Sequence, residues 1–218
     1  MKEIVKFVVL FLISYGLLIY ISKLNPVQSF VHTIFRSTVE HAVKAALPNA
    51  YIETQNYLDE NKKTDPNLFY IIYGNPIVIN AEKEYATKKG WNEYSISTYS
   101  FQIYIFHMLT VPATFLISIL LATPMPWRSK FKSIGISLLL LFALIIGRCI
   151  LITLFLISNA KIGIYTLSDS ALNISEKLNT VLTLGFSIIF CFCLWLLFGL
   201  RKSLFASQFS NFIKSFQK

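Results

Sequence analysis

The sequence has little cysteine, and that scarcity limits the chemistry it can carry. Its three cysteines, Cys149, Cys191 and Cys193, all lie in apolar runs, so no disulfide framework is expected outside them. Cys191 and Cys193 are two positions apart, and side chains at that spacing do not face each other on a helix. We interpret all three as small packing residues, since free cysteine is commonly buried.

Motifs of catalysis and of nucleotide binding are missing as well. The chain contains no GxSxG, no HExxH and no phosphate-binding glycine loop, and no aspartates are paired within an apolar run. His32 and His41 are nine residues apart, a spacing that does not form a metal-binding pair. We therefore predict a protein that is not an enzyme and that has no cofactor and no metal site.

Acidic residues are also few, 11 against 20 basic ones, which gives a formal net charge of +9. Acidic and basic residues cancel within residues 23–100 and 158–177. The basic excess lies near the N-terminus, in the turn at residues 124–132, at Arg148 and after Leu200. This distribution is typical of membrane topology rather than of a phosphate-binding face, so no nucleic-acid partner is expected.

Long apolar runs dominate the rest of the chain. Residues 101–123 contain no charged side chain, and residues 133–157 contain only Arg148. Each run reaches the roughly 20 residues that a helix needs to cross a bilayer. Neither run alternates as a barrel strand would, so helices are predicted. Residues 7–21 and 178–200 complete a predicted set of four transmembrane helices.

The first of these runs is the shortest, about 15 residues, just under the usual length of a span. Lys6 could extend it by reaching back to the membrane surface. The alternative is a cleaved signal peptide, but no clear cleavage site of small residues follows the run. We prefer an uncleaved signal anchor.

Basic residues determine the predicted topology. Pro124 and Pro126 end the second run, because proline cannot continue a helical hydrogen-bond ladder. Short loops rich in lysine and arginine stay in the cytoplasm. Both termini and the turn at 124–132 are therefore predicted inside the bacterial inner membrane, with residues 25–100 outside. The topology determinants are Arg128, Lys130, Lys132, Arg201 and Lys202.

The expected fold is mainly α and transmembrane: a four-helix membrane bundle with a small extracytoplasmic α+β module between the first and second spans. Residues 1–24 form the signal anchor and residues 25–100 the module. Residues 101–200 supply three transmembrane helices. Residues 201–218 form a cytoplasmic amphipathic basic tail, with phenylalanines and lysines at helical spacing.

Within the module, an amphipathic helix is predicted to precede short antiparallel strands. Asn25 and Pro26 cap and begin the helix, which extends to about Leu47. Its polar stripe is His32, Arg36, Glu40 and Lys44, and its apolar face is Val27, Phe30, Val31, Ile34 and Val43. The strands are predicted at residues 51–58, 68–73, 77–85 and 92–99. So small a sheet is expected to rest on the membrane helices or on a partner.

Polar side chains inside the predicted spans are costly and are functional hypotheses by default. His107 lies about 9 Å below the outer start of its helix, and Arg148 lies about 13 Å below the outer end of its own. Because these helices run antiparallel, both residues fall in the outer half of the membrane. We predict an intramembrane polar cluster of His107, Arg148, Asn179 and Thr183. The alternative is that these side chains only bond nearby backbone or hold helices together.

The segment from Tyr99 to Lys130 carries a resemblance. It contains Tyr-Ser-Phe-Gln-Ile-Tyr at residues 99–104 and Leu-Ala-Thr-Pro-Met-Pro-Trp-Arg-Ser-Lys at residues 121–130, followed by a leucine-rich run. This pattern resembles the membrane proteins encoded beside exosortases of the H type; exosortases are integral-membrane sorting transpeptidases of Gram-negative envelopes. The resemblance implies one N-terminal span, a small β-rich outer segment, three further spans and an exosortase as partner.

A second, fainter similarity links Gly147-Arg148-Cys149-Ile150 to the arginine-bearing helix of exosortases themselves. In exosortases a cysteine precedes that arginine in a separate helix and a histidine follows it. Here the histidine, His107, precedes the arginine, and no cysteine occupies the earlier position. The similarity therefore does not extend to a catalytic set.

We expect a non-catalytic accessory or assembly protein of a bacterial envelope protein-sorting system, with membrane lipid and another integral membrane protein as partners. Two other hypotheses stay open. A membrane-embedded thiol transpeptidase or protease needs a base beside its cysteine, yet Cys149 points about 100° away from Arg148 around their helix. A small-solute transporter would be favoured by an inverted repeat or a pair of broken helices, and neither is evident in the sequence.

The topology can be tested by cysteine labelling in a background without native cysteines. A membrane-impermeant maleimide added from outside should modify Asn61→Cys and Ser168→Cys, because both sites lie in predicted outer segments. It should leave Ser129→Cys unmodified, since that residue lies in the basic turn. Labelling of Ser129→Cys from outside would reverse the whole arrangement.

Overall fold

The computed structural model describes residues 2–58, 63–91, 95–183 and 185–203. These residues are mostly helical and include a small antiparallel sheet. The helices are α1 (Lys2–Ser22), α2 (Asn25–Ala46), α3 (Pro76–Lys89), α4 (Val111–Ala122), α5 (Trp127–Asn159), α6 (Asp169–Thr183) and α7 (Phe186–Leu194). The strands are β1 (Tyr51–Leu58), β2 (Thr64–Gly74) and β3 (Tyr99–Tyr104). Short π-helical turns at Phe106–Thr110 and Trp195–Gly199, and a 3₁₀ turn at Leu200–Lys202, complete the description.

The chain divides into two compact units. The first unit comprises the described parts of Met1–Val27, Phe106–Ile145 and Gly185–Lys218. The second comprises the described parts of Gln28–Ile105 and Ile146–Leu184, and it contains the sheet. Helix α5 contributes residues to both. Of the predicted tail at residues 201–218, only residues 201–203 are described, and residues 204–218 lie outside the described residues.

Within the described residues, two helices are long and apolar enough to cross a membrane, Glu3–Ser22 and Trp127–Asn159. A third crossing is counted if Asp169–Leu182 and Phe186–Gly199 form one broken span. The apolar segment Phe106–Ala122 is shorter than these. The structure thus supports a membrane protein with two or three such helices, and the complete four-helix bundle stays a prediction.

The second predicted span begins later than expected. Residues 101–104 were predicted as the start of a helix, and they form β3 instead, where Phe101 and Ile103 pair with Ile71 and Phe69 of β2. Helical structure begins at Phe106 with a π-helical turn. Pro112 follows it at the start of α4, and a proline that cannot donate to the preceding turn is a usual cause of such irregularity.

The predicted strand at 77–85 is wrong, because these residues lie in α3. Asn75 caps the helix, its side chain accepting a hydrogen bond of 2.9 Å from the Ile77 amide, and Pro76 occupies the first turn. Gly90 ends it in the left-handed conformation, with φ of 68°. These end signals favour a helix over the strand that the apolar residues suggested.

The sheet has three antiparallel strands in the order β1-β2-β3 within the described residues. Three or four strands were expected; of the predicted strand at 92–99, residues 92–94 lie outside the described residues, residues 95–98 are irregular, and Tyr99 begins β3. β2 is also longer than the predicted 68–73, so it can pair with both neighbours along most of their lengths.

Helix α2 packs on the sheet, but with a different face from the one expected. His32 and Phe35 make edge-on contacts with Phe69, at 6.2 and 6.0 Å between ring centroids. Phe30 and Ile34, which belong to the predicted apolar face, are 66% and 47% exposed. The buried face of the helix consists of His32, Phe35, Val39 and Val43.

The polar side chains of β1 explain why residues of the predicted polar stripe of α2 face the sheet. β1 presents Thr54 and Asn56 to the helix, and these polar side chains need partners there. Arg36 donates to the Asn56 side-chain oxygen, and Glu40 accepts from the Thr54 hydroxyl. The predicted polar stripe is thus the side of α2 that bonds to the sheet.

In the first unit, α1 and α4 pack antiparallel. Phe11 contacts Phe115 edge-on at 5.6 Å, and Lys23, just after α1, lies over the Phe106 ring at 5.9 Å. At the other end, Phe7 stacks on Trp195 at 6.1 Å, and the Trp195 indole donates to the Thr123 hydroxyl at 2.9 Å.

These contacts gather basic residues at one end of the unit. The predicted basic turn at 124–132 is shorter than expected, because α5 begins at Trp127 and so contains Arg128, Lys130 and Lys132. Lys6, next to Phe7, lies at the same end of the unit as this first part of α5. Ser133 donates to the Phe198 carbonyl at 3.0 Å, which brings the end of the last helical segment, with Arg201, to this end too. This clustering agrees with the charge-based topology, although the side of the membrane stays a prediction.

The buried His32 should make the stability of the second unit depend on pH. Burial lowers the pKa of His32, nearby Arg36 lowers it further, and a hydrogen bond to the Leu68 backbone and the charge of Asp65 oppose the shift. The folded state therefore favours the neutral ring, and the unfolded state binds protons more readily. Stability should be complete above the ordinary pKa of about 6.5 and fall as the pH drops below it.

Thermal unfolding of the detergent-solubilised protein at pH 8 and pH 5.5 would measure this loss. His32→Leu should flatten the dependence. The exposed His41→Leu is the matched control and should retain it. An unchanged pH dependence in His32→Leu would show that another group is responsible.

Candidate functional site

The predicted polar cluster is distributed over the two units. His107 belongs to the first unit, where it is exposed on the π-helical turn beside Phe106. Arg148 on α5 and Asn179 on α6 belong to the second unit. Thr183 is the last residue of α6, and its side chain lies outside the described residues. The approach of His107 to Arg148 stays a prediction.

Two members of the predicted cluster have polar atoms shielded from solvent without a hydrogen-bond partner. These atoms are Nε of Arg148 and Oδ1 of Asn179. A buried polar atom left unpaired costs roughly 1–3 kcal/mol. In a helix that could cross a membrane, such a residue is retained for function despite its energetic cost, or its polar atom pairs with a group outside this chain.

The cysteines occupy unreactive surroundings. Cys149 is fully buried beside Arg148, and its backbone carbonyl accepts a hydrogen bond from Thr153 at 2.8 Å. Cys191 is also buried, and its thiol donates to the Pro112 carbonyl at 3.4 Å. Cys193 is exposed. Among the described residues, no hydrogen bond joins a cysteine sulfur to a histidine, the arrangement that activates a thiol.

No group of three or more histidine, cysteine, aspartate or glutamate side chains among the described residues is placed to hold a metal ion.

The topology determinants are arranged at the basic end of the first unit. Lys130 donates to the Leu121 carbonyl at the end of α4 and lies 4.9 Å from the Trp127 ring centroid. The side chain of Lys202 lies outside the described residues.

A different surface stands out in the second unit. Side chains alternate between the two faces of a strand, so the residues adjacent to buried positions point away from α2. The pairing places Gln55, Tyr70 and Gln102 side by side across the three strands on this outer face. We call the outer face the tyrosine face, defined by Glu53, Gln55, Tyr57, Tyr70, Gln102 and Tyr104.

The tyrosine face is exposed and internally ordered. The Gln102 amide donates to the Tyr70 hydroxyl at 2.9 Å, and the Tyr104 hydroxyl donates back to the Gln102 side-chain oxygen at 3.1 Å. The rings of Tyr57 and Tyr70 lie 5.7 Å apart. Tyrosine offers a large amphipathic contact area and loses little conformational freedom when it binds. These properties make the tyrosine face a candidate contact surface.

Only part of the tyrosine face could be recognised from the sequence. Tyr70 lies within a strand that the pattern predicted, but Gln102 and Tyr104 lie in residues that were predicted to be helical. A helix would have placed these two side chains on different faces. Only the pairing of β3 with β2 brings them next to Tyr70.

Comparison of the chain with models of known protein families, with curated proteins and with solved structures finds no match. Function must therefore be inferred from the residues and their arrangement.

Nε of Arg148 has no hydrogen-bond partner. If Arg148 is retained for function rather than for stability, replacing it with an uncharged residue should not lower the stability of the fold. Arg148→Met removes the unpaired Nε and leaves an apolar side chain of similar length. We expect the apparent unfolding temperature of the solubilised protein to stay the same or rise, by the equivalent of up to about 1–3 kcal/mol. Asn179→Leu should likewise leave the unfolding temperature unchanged or raise it. A clear fall in the Arg148→Met unfolding temperature would show that Arg148 makes stabilising contacts.

Proposed function

We propose that this protein is a non-catalytic accessory protein of a bacterial envelope protein-sorting system of the exosortase type. It lies in the inner membrane, with both termini in the cytoplasm, and binds another integral membrane protein. Two helices long and apolar enough to cross a membrane support the membrane location. The resemblance of residues 99–104 and 121–130 suggests the system, and the partner would be an exosortase.

The tyrosine face is the observation that carries this proposal. It combines aromatic rings with amide side chains, and a carboxylate, Glu53, lies toward one end. Tyrosine is enriched at protein interfaces and among the residues that dominate their binding energy. No described element covers this face: Gln55, Gln102 and Tyr104 are exposed, whereas Phe69 and Ile103 on the opposite face are buried.

The surroundings of the cysteines favour an accessory role over thiol catalysis. A nucleophilic thiolate is stabilised by a nearby positive charge or base and must reach its substrate. Cys149 is fully buried, and the Cys191 thiol is occupied by the Pro112 carbonyl. Both are better described as packing residues.

Substitution of the tyrosine face should separate binding from folding. We expect the double variant Tyr70→Ser, Tyr104→Ser to reduce co-purification of the exosortase partner from membranes by about tenfold or more, since loss of two central aromatic contacts removes at least about 1.4 kcal/mol. Processing of a sorting-tail substrate in cells should fall with it. Tyr85→Ser, an exposed tyrosine on α3 outside the face, is the control and should leave both unchanged.

Normal co-purification by a well-folded double variant would contradict the proposal. The enzymatic alternative has its own test in Cys149→Ser, which should leave substrate processing intact. If that variant stops processing while protein level and co-purification stay normal, the thiol-enzyme hypothesis replaces the accessory one.

A further inference from the structure

A small cavity lies at the basic end of the first unit, between α1 and the turn that joins α4 to α5. Its volume is about 150 Å³. That volume is suited to a compact polar group rather than to a large organic ligand. The cavity is lined by Glu3, Lys6, Phe7, Leu10, Ala122, Pro124 and Lys130.

The lining combines two ammonium groups with apolar walls. Lys6 and Lys130 supply the positive charge, and Glu3 is the one carboxylate among these seven residues. Lys130 is held in place, because its ammonium donates to the Leu121 carbonyl and lies against the Trp127 ring. An ammonium has three N–H donors, so Lys130 retains donors for a ligand.

The walls and the surroundings suit a lipid rather than a soluble metabolite. Leu10 lines the cavity and is 44% exposed, and its neighbours Val9 and Leu12 on α1 are exposed as well. This exposed side of α1 belongs to a helix that is apolar enough to cross a membrane, so acyl chains can lie along it. Arg128 and Arg201 add positive charge at the same end of the unit.

We propose that this cavity binds the phosphate of an anionic phospholipid headgroup. Lys6 and Lys130 bind the phosphate oxygens, and Phe7, Leu10 and Ala122 contact the first carbons of the acyl chains. Basic pockets between membrane helices are known to hold anionic headgroups. The site joins α1 to the turn after α4, so the lipid would stabilise the first unit, independently of whether the tyrosine face binds a partner.

The test is a lipid titration of the purified full chain in detergent. Dioleoylphosphatidylglycerol is added at increasing mole fraction, and the unfolding temperature and the lipid adducts seen by native mass spectrometry are recorded. We expect a saturable rise in unfolding temperature and one preferentially retained lipid. Dioleoylphosphatidylcholine, whose headgroup has no net charge, should give a much smaller effect.

Lys6→Gln should raise the half-saturating mole fraction about fivefold, the change expected for one lysine close to anionic lipid. Lys130→Gln should weaken binding similarly, but it also removes a bond to α4, so the exposed Lys6 is the decisive position. Lys132→Gln is the matched control, a basic residue at the same end that does not line the cavity, and its titration should match that of the unsubstituted protein.

Two results would overturn the proposal. If Lys6→Gln titrates like the unsubstituted protein, or if Lys132→Gln loses as much affinity, the lipid interacts with diffuse charge and not with this cavity. If inorganic phosphate alone gives the same stabilisation and Lys6→Gln abolishes it, the ligand is a free anion and not a lipid.

Discussion

The side chain of Phe69 lies completely buried in the central strand of the sheet, where it meets both His32 and Phe35 of α2. Burying a large aromatic side chain removes about 150–250 Å² from water, which makes this contact the main link between helix and sheet. Because side chains alternate along a strand, the direction of Phe69 then fixes the direction of its neighbours in β2. Because Phe69 points toward α2, Tyr70 must point away from it, and the outer face of the sheet therefore carries Tyr70 between Gln55 and Gln102.

The same contact explains why polar groups are found beneath α2. Once α2 is docked on Phe69, Arg36 and Glu40 lie over β1, where Asn56 and Thr54 bind them. The fit is incomplete, since Nε2 of His32 and Nε of Arg36 are buried without partners. A few such unpaired atoms are usual in native proteins, and they mark places where packing has outweighed polar pairing. The second unit is thus held chiefly by apolar contact.

The sequence predicted some elements well because their signals were strong. The apolar runs of α1 and α5 exceed what any small soluble domain needs, and Asn25-Pro26 correctly marked the start of α2. α3 was missed because a short apolar stretch fits a strand or a helix, and Asn75-Pro76 together with Gly90 should have decided between them. The start of β3 was missed for a different reason. Residues 101–104 carry no charged side chain and run directly into the apolar helix that follows, and only pairing with a distant strand makes them β.

The candidate site could be predicted even less well. Helical spacing gave the polar stripe of α2 correctly, but it could not say that the stripe would face a sheet. The positions of His107, Arg148 and Asn179 along their helices could be inferred from residue counts, whereas their neighbours depend on how the helices pack. Basic residues were the exception. Their clustering around Lys6 and Lys130 follows from the antiparallel packing of α1 and α4, which the predicted alternation of spans implied.

Helix α5 is much longer than a bilayer is thick. Its 33 residues extend over about 50 Å, and the apolar part at 133–157 covers roughly 38 Å, against a hydrocarbon layer of about 30 Å. A mismatch of this size must be absorbed by tilting the helix or by thickening the surrounding lipid. Because α5 contributes to both units, either response acts on both at once. In any bilayer that α5 crosses, the thickness of the hydrocarbon layer would set the tilt of a helix that contributes residues to both units.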